Sequence, residues 1–241
     1  MYSQVIISMK PIDVHLSEVK DVKEGALVLI DKPLNWTSFD VVNKIRYFLT
    51  KDLHTGRIKV GHAGTLDPLA TGLLIVCIGK FTKRINEIQR KEKEYKGTLA
   101  LGATTPSYDL ETEIDQTFAT GEISDTQIYE AAKLFEGEIE QVPPSFSALK
   151  VNGIRSYKKA RQNVAIEHQP RPITIDSFKI SNIQMPQVEF MVSCSTGTYI
   201  RSLVHDFGKA LHNGAHLTAL SRTRIGQFHL DNAWKLEDVL H

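Results

Sequence analysis

A chain of 241 residues, 41% hydrophobic and 24% charged, has the make-up of a globular protein with room for one large domain, or for a domain carrying an inserted lobe. Lys plus Arg number 29 and Asp plus Glu 28, so the whole chain shows no basic excess of the kind that marks a nucleic-acid binder. No apolar run approaches the roughly 20 residues a membrane helix needs. Val5-Ile6-Ile7 is too short for the apolar part of a secretory signal, and Lys10, Asp13 and Glu18 follow at once. Cys77 and Cys194 both stand in apolar, strand-like runs, which suits buried free thiols better than a disulfide. The expected compartment is therefore the cytoplasm.

Charge is unevenly spread. From Lys32 to Lys96 there are thirteen Lys or Arg against six Asp or Glu, a local balance of +7; from Thr104 to Glu140 ten acids stand against Lys133 alone, a balance of −9. Such segregation suits a molecule with one face for a polyanion and another turned away from it, but clusters in sequence can equally scatter in space.

In chain order, Ala26-Leu27-Val28-Leu29-Ile30 reads as a buried strand. It runs into the turn Asp31-Lys32-Pro33, after which Thr37 or Ser38 is expected to cap a helix that turns Val41, Val42, Ile45, Phe48 and Leu49 inward. Leu73 to Ile78 reads as a second buried strand, bounded by Gly72 and Gly79. Thr82 is expected to cap a short basic helix through Arg90, and Tyr95 to Leu101 alternates like a strand. Ser124-Asp125-Thr126-Gln127 is a capping box opening a helix through about Phe135. Pro143-Pro144 breaks the pattern, and a polar, basic stretch follows to Pro172. Ile173 to Ile180 and Val188 to Ser195 read as strands, Thr198 to Leu211 as an amphipathic helix, and Ile225 to Leu230 as a last strand-like piece. Irregular interleaving of strands and helices predicts an α+β fold, a mixed sheet with helices packed on it. No repeat, low-complexity tract or long linker divides the chain.

The most informative segment is Gly61-His62-Ala63-Gly64-Thr65-Leu66-Asp67-Pro68-Leu69-Ala70-Thr71-Gly72. It places one carboxylate, Asp67, in a turn of glycine, proline and threonine directly before a buried strand, which is how a scaffold positions a catalytic group. An Asp-Pro pair by itself more often only starts a turn.

This segment resembles the catalytic-aspartate motif of the TruB family, tRNA pseudouridine synthases that modify the T-loop, and the resemblance puts the catalytic role on Asp67. Gly197-Thr198-Tyr199-Ile200-Arg201 resembles the family's second active-site motif, which implies that Tyr199 lines the base pocket and that Arg201 pairs with the catalytic aspartate. Tyr95 aligns with the tyrosine that stacks on the target base, His62 with the histidine that wedges into the T-loop, and Leu220 with a leucine that packs on the uracil. Lys32 matches the first motif, with either a structural or a phosphate-directed role. The resemblance runs from about Gly25 to Arg224. It implies the pseudouridine-synthase fold: a curved, mixed, mostly antiparallel sheet with flanking helices. Residues 25–241 are then one catalytic domain behind a 1–24 extension, with 143–170 a mobile lobe that grips RNA. A C-terminal PUA-type domain is not expected, and Lys158 stands where the family often has glutamate.

The implied activity is that of an isomerase: conversion of the T-loop uridine, position 55 of tRNA, to pseudouridine, with the target base flipped out. The partner is the tRNA T-arm, with no membrane and a monomeric state expected. The reaction breaks N1–C1′ and makes C5–C1′ without net redox change or hydrolysis, so its stoichiometry requires no cofactor and no metal. It needs a carboxylate beside the ribose, attacking C1′ or removing a proton from C2′, and a pocket that keeps water out. A tRNA-refolding protein would share the groove without needing Asp67, and a guide-RNA-dependent synthase is the nearest relative reading. A Walker nucleotide site fails because six residues separate Gly72 from Gly79 and Phe81 replaces Ser or Thr; a zinc deaminase fails for want of Cys-x-x-Cys.

Overall fold

The structure is a computed structural model that describes residues 11–19, 21–147, 149–151, 153–162 and 168–240. The first ten residues of the expected N-terminal extension lie outside the described residues. So do Ala148, Asn152, residues 163–167 and the side chains of Tyr157 and Lys158 in the expected lobe.

In chain order the elements are β1 (Ala26–Lys32), α1 (Ser38–Tyr47), β2 (Val60–His62), β3 (Ala70–Ile78), α2 (Ile85–Gln89), β4 (Lys93–Leu101), β5 (Ala103–Thr104), β6 (Gln116–Thr117), α3 (Asp125–Lys133) and β7 (Gly137–Gln141). There follow β8 (Lys150–Val151), β9 (Ile154–Arg155), α4 (Ser156–Ala160), β10 (Arg171–Gln184), β11 (Gln187–Cys194), α5 (Ile200–Ala210), β12 (Ala215–Ile225), β13 (Phe228–His229) and β14 (Trp234–Lys235). β1 and β14 run parallel, and the other strand pairs described below are antiparallel, which makes the architecture mixed, mostly antiparallel and α+β. Two compact units are formed, one by the chain up to Lys91 together with Arg222 onwards, the other by Glu92–Ser221. No helix among the described residues is long and apolar enough to cross a membrane.

In the first unit β1 lies between β14 and β3, and β2 adds to β3. β1 and β3 pair without interruption from Ala26↔Ile78 to Lys32↔Gly72. Successive side chains point to opposite faces, and both faces are covered. Val28, Ile30, Leu74 and Val76 pack with Val41, Val42 and Ile45 of α1. Leu27, Leu29, Leu73, Ile75 and Cys77 pack with Ala63, Phe81, Ile88 and Phe228. A strand buried on both sides reads as an unbroken apolar run, and each such side chain contributes about 1.5–3 kcal/mol by leaving water. Thr37 caps α1 in a reciprocal box: its hydroxyl accepts from the Asp40 amide at 3.0 Å, and the Asp40 carboxylate accepts from the Thr37 amide at 2.8 Å. Thr82 does not cap a helix. Its hydroxyl donates to the Gly79 carbonyl at 2.7 Å inside the 3-10 turn Gly79–Arg84, and α2 starts only at Ile85. Gly79 sets that turn: φ is +58°, and a Cβ there would stand 2.4 Å from the Lys23 carbonyl oxygen.

In the second unit β4, β11, β10 and β7 pair in that order. Phe190 on β11 faces Gly97 on β4, and its ring fills the space a side chain would take: a Cβ on Gly97 would come within 2.5 Å of it. Phe178, Phe190 and Phe207 meet edge to face, with centroids 5.5 and 5.4 Å apart, and α5 buries Ile200, Leu203, Val204 and Phe207 against this core. The Ser124–Gln127 capping box opens α3 as its sequence indicates. β7 has no counterpart among the expected strands. The strand expected from Ile225 to Leu230 is instead the end of the long β12, which turns at Gly226 (φ +51°) into β13. Hydropathy hides β12 because its polar stretch, Thr218 and Ser221 to Arg224, includes an arginine that is inside the protein.

Candidate active site

The loop that carries Asp67 is held from within by side chains that bond its backbone. Ser38, in the first turn of α1 and buried, donates to the Leu66 carbonyl at 3.1 Å and accepts from the Leu66 amide at 2.8 Å. Arg222, 1% exposed, donates through Nε to the Leu73 carbonyl at 2.8 Å, through Nη2 to Gly64 at 3.1 Å and through Nη1 to Thr65 at 3.4 Å. Lys32, fully buried, donates to the carbonyls of Pro33 at 2.9 Å, Trp36 at 2.6 Å and Pro68 at 3.5 Å. The Ala63 amide adds a bond to the Ile75 carbonyl at 2.9 Å, and the Asn35 amide one to Pro68 at 2.9 Å. The backbone on either side of Asp67 is thus tied to β1, α1, β3 and the end of β12, while the Asp67 side chain itself is half-buried. A buried loop needs such partners for its polar groups, and the result is a carboxylate on a stiff mount.

The electrostatics follow from burial. Burial pushes the Lys32 ammonium down to about 8; the Asp67 carboxylate opposes this and the Arg222 guanidinium reinforces it. The ammonium is enclosed by its three carbonyl partners, a geometry that suits the structural one of the two roles open to Lys32. His62, on β2 and half-buried, is held below its ordinary value mainly by burial, with Arg222 adding to the effect and the nearby Gly64 backbone opposing it. Its Nδ1 is enclosed without a hydrogen-bond partner among the described residues.

The remaining sequence-identified residues lie in the second unit. Tyr95 is buried on β4, paired in register with Val192. Tyr199 is the residue before α5 and offers that helix no side-chain cap. The Gln141 amide does so in its place, accepting from the Tyr199 amide at 2.8 Å and donating to the Tyr199 carbonyl at 3.1 Å. Arg201, 5% exposed, donates to the carbonyls of Ser107 at 3.1 Å and Phe146 at 2.8 Å and stands 3.6 Å from the Asp109 carboxylate. Leu220 is half-buried on β12. Lys32, His62 and Asp67 therefore share one loop system in the first unit, while Tyr95, Tyr199, Arg201 and Leu220 belong to the second.

Sequence reasoning weighed Ser38 only as a helix cap and did not single out Arg222, Gln141 or Asp109. Each acts on a residue far along the chain, up to 158 positions for Arg222 and Gly64.

Residues 51–200 match the sequence profile of the TruB family pseudouridylate synthase (N terminal domain). The chain belongs to the TruB family. Residues 201–241 match a second profile, the tRNA pseudouridylate synthase B C-terminal domain. The chain is 56% identical over 211 residues to a tRNA pseudouridine synthase B of Flavobacterium johnsoniae, covering 87% of this chain and 92% of that one. It is 53% identical over 215 residues to the protein of the same name from Phocaeicola vulgatus, covering 89% and 92%. Among solved structures it resembles a chain of a Cbf5–Nop10–Gar1 complex with a TM-score of 0.69 and 31% identity, over 91% of this chain. It also resembles a chain of an H/ACA ribonucleoprotein bound to a substrate RNA containing 2′-deoxyuridine, with a TM-score of 0.66 and 29% identity over 91% of this chain. This TruB-family chain spans 54% and 53% of those two matched chains. The fold is that of the pseudouridine synthases.

Proposed function

We propose that the protein isomerises the T-loop uridine at position 55 of tRNA to pseudouridine, with Asp67 as the catalytic carboxylate. The observation that carries this reading is the mounting of Asp67: a single half-buried acid whose flanking backbone is bonded by three buried side chains, Ser38, Lys32 and Arg222. Rigid placement of one reacting group against a bound ribose is worth far more than its intrinsic reactivity.

In the reaction N1–C1′ breaks, the uracil turns in place, C5–C1′ forms, C5 gives up its proton and N1 gains one, so atoms and electrons balance without a co-reactant. Asp67 either attacks C1′ as a nucleophile or takes a proton from C2′. The base must leave its stack to be reached. Tyr95, Tyr199 and Leu220 are assigned to holding it, Arg201 to the catalytic carboxylate, and His62 to the gap the base leaves. Stacking on an aromatic face offsets roughly 1–3 kcal/mol of the lost contacts per base. Water must be kept from C1′, since hydrolysis there would cleave the glycosidic bond instead.

The test is pseudouridine mapping of an unmodified tRNA transcript after incubation with wild-type protein and with Asp67→Asn, alongside tRNA binding by both. One new pseudouridine in the T-loop with wild type, none with Asp67→Asn, and affinities within about threefold of each other are expected. An Asn variant that turns over at the wild-type rate would remove Asp67 from the mechanism.

A further inference from the structure

A cavity of about 510 Å³ opens in the second unit, lined by Thr104, Tyr108, Asp115, Phe118, His205 and Lys209 among others. Its size is that of a small-molecule site. Three features set it apart from a packing defect. First, the Tyr108 and His205 rings lie nearly parallel, 13° apart with centroids at 3.8 Å, and Phe118, though aromatic, is 38% exposed at the same cavity. Phe118 lies so close over Gly214 that a Cβ there would stand 2.5 Å from its ring.

Second, the cavity holds backbone strain. Of the four described non-glycine residues with positive φ, two line it: Tyr108 at +63° and His212 at +51°. A bulky aromatic residue is seldom found in the left-handed region, and residues so held gather at ligand sites.

Third, the charges are arranged with a direction. Asp115 is fixed by its neighbour: its carboxylate accepts from the Thr104 hydroxyl at 2.6 Å and its amide donates to the Thr104 carbonyl at 3.0 Å. No Lys or Arg among the described residues forms an ion pair with it, so it keeps acceptor capacity for a ligand. Lys209, on the last turn of α5, is exposed and supplies a cation. His205 adds none, because burial and Lys209 push its imidazole down to about 4 and leave a neutral ring.

A flat ligand is called for by the stacked rings, two parallel N–H donors by the carboxylate, and a negative group by the lysine. A guanidinium would satisfy the first two and be repelled by the third. Adenine lacks the paired N–H donors. We propose that this cavity is a guanine-nucleotide site, with the base on the Tyr108–His205 stack, its N1–H and N2–H on Asp115, and its phosphate toward Lys209. The same chemistry is offered by a free guanine nucleotide and by a guanosine of bound RNA.

The experiment uses the full chain. GMP, guanosine, AMP and L-arginine are titrated while the histidine and tyrosine ring resonances are followed by NMR, for wild type, Asp115→Asn and Lys209→Ala. Asn at 115 still accepts from Thr104, so the local fold is kept while the face offered to N1–H is lost. GMP is expected to shift the Tyr108 and His205 rings and to bind at least about tenfold more tightly than AMP, with Asp115→Asn abolishing that preference. Lys209→Ala is expected to weaken GMP severalfold and to leave guanosine unchanged. Competition between GMP and tRNA for the wild-type protein identifies an RNA guanosine as the natural occupant, and independent binding identifies a free nucleotide. Ring resonances that ignore GMP, a preference for arginine or AMP, or an Asp115→Asn variant that still prefers GMP each overturn the proposal. None of these readouts uses turnover, so they stand or fall apart from the role of Asp67.

Discussion

Lys32 is a cation whose surroundings set when it can keep its charge. Its ammonium is enclosed and bonded to three carbonyl oxygens, and folding lowers its proton affinity from 10.5 to about 8. The unfolded chain therefore holds this proton more tightly than the folded one. Below about pH 8 both states are protonated and the cost of burying the charge is fully present; between about 8 and 10.5 the folded state sheds it first, and stability rises with pH. Relative to Lys32→Met, wild type is expected to gain on the order of 2–3 kcal/mol across that window, measurable as the pH dependence of the urea midpoint difference. A difference that stays constant from pH 7 to 10.5 would mean the ammonium is not desolvated as the geometry requires.

At the scale of elements, the Asp67 loop is only as rigid as the ties to its neighbours. Ser38→Ala removes a donor and an acceptor from Leu66 in a buried setting and is expected to cost about 1–3 kcal/mol. Arg222→Lys keeps the charge but cannot span the carbonyls of Gly64 and Leu73 at once. A loss of about 2–4 kcal/mol is expected, together with slower turnover, since the mount of Asp67 loosens. Equilibrium urea unfolding checks both, and an Arg222→Lys protein as stable as wild type would show that the fork is not what holds the loop. In the second unit Gly97→Ala presses a methyl group into the Phe190 ring, and a cost of about 1–3 kcal/mol is expected by the same measurement.

At the scale of the whole molecule, the charge asymmetry survives folding with fewer members than the sequence suggests. Lys32 and Lys93 are buried, and Lys80 is engaged by Glu24 at 2.6 Å. Lys44, Lys51, Arg57, Lys59, Lys83 and Arg90 remain exposed in the first unit, while the acid-rich 104–140 segment belongs to the second. Phosphate contacts release counterions, so tRNA affinity is expected to fall at least about tenfold between roughly 50 and 200 mM salt. Filter binding over that range is the check; affinity that does not move would leave the exposed cations without a polyanion to meet.

Much of the protein was legible before folding because it is local. Continuous apolar runs named β1 and β3, the Thr37-Ser38 pair and the Ser124 box named two helix starts within one turn, and the Gly61–Gly72 motif named the loop of Asp67. These depend on neighbours in sequence, which pattern can see. What escaped is bonding between a side chain and a distant backbone. Nothing in the residues around position 222 says that its guanidinium will be buried on the carbonyls of 64, 65 and 73, and nothing around Gln141 says that its amide will cap the turn at Tyr199. β12 was hidden for the same reason, its buried arginine looking like a surface residue until its partners are in place. By itself the sequence determined the family, the apolar strands β1 and β3 and two helix starts, and it marked the loop of Asp67. Only the tertiary structure decided what holds that acid still, because a backbone carbonyl has no residue identity for a sequence to display.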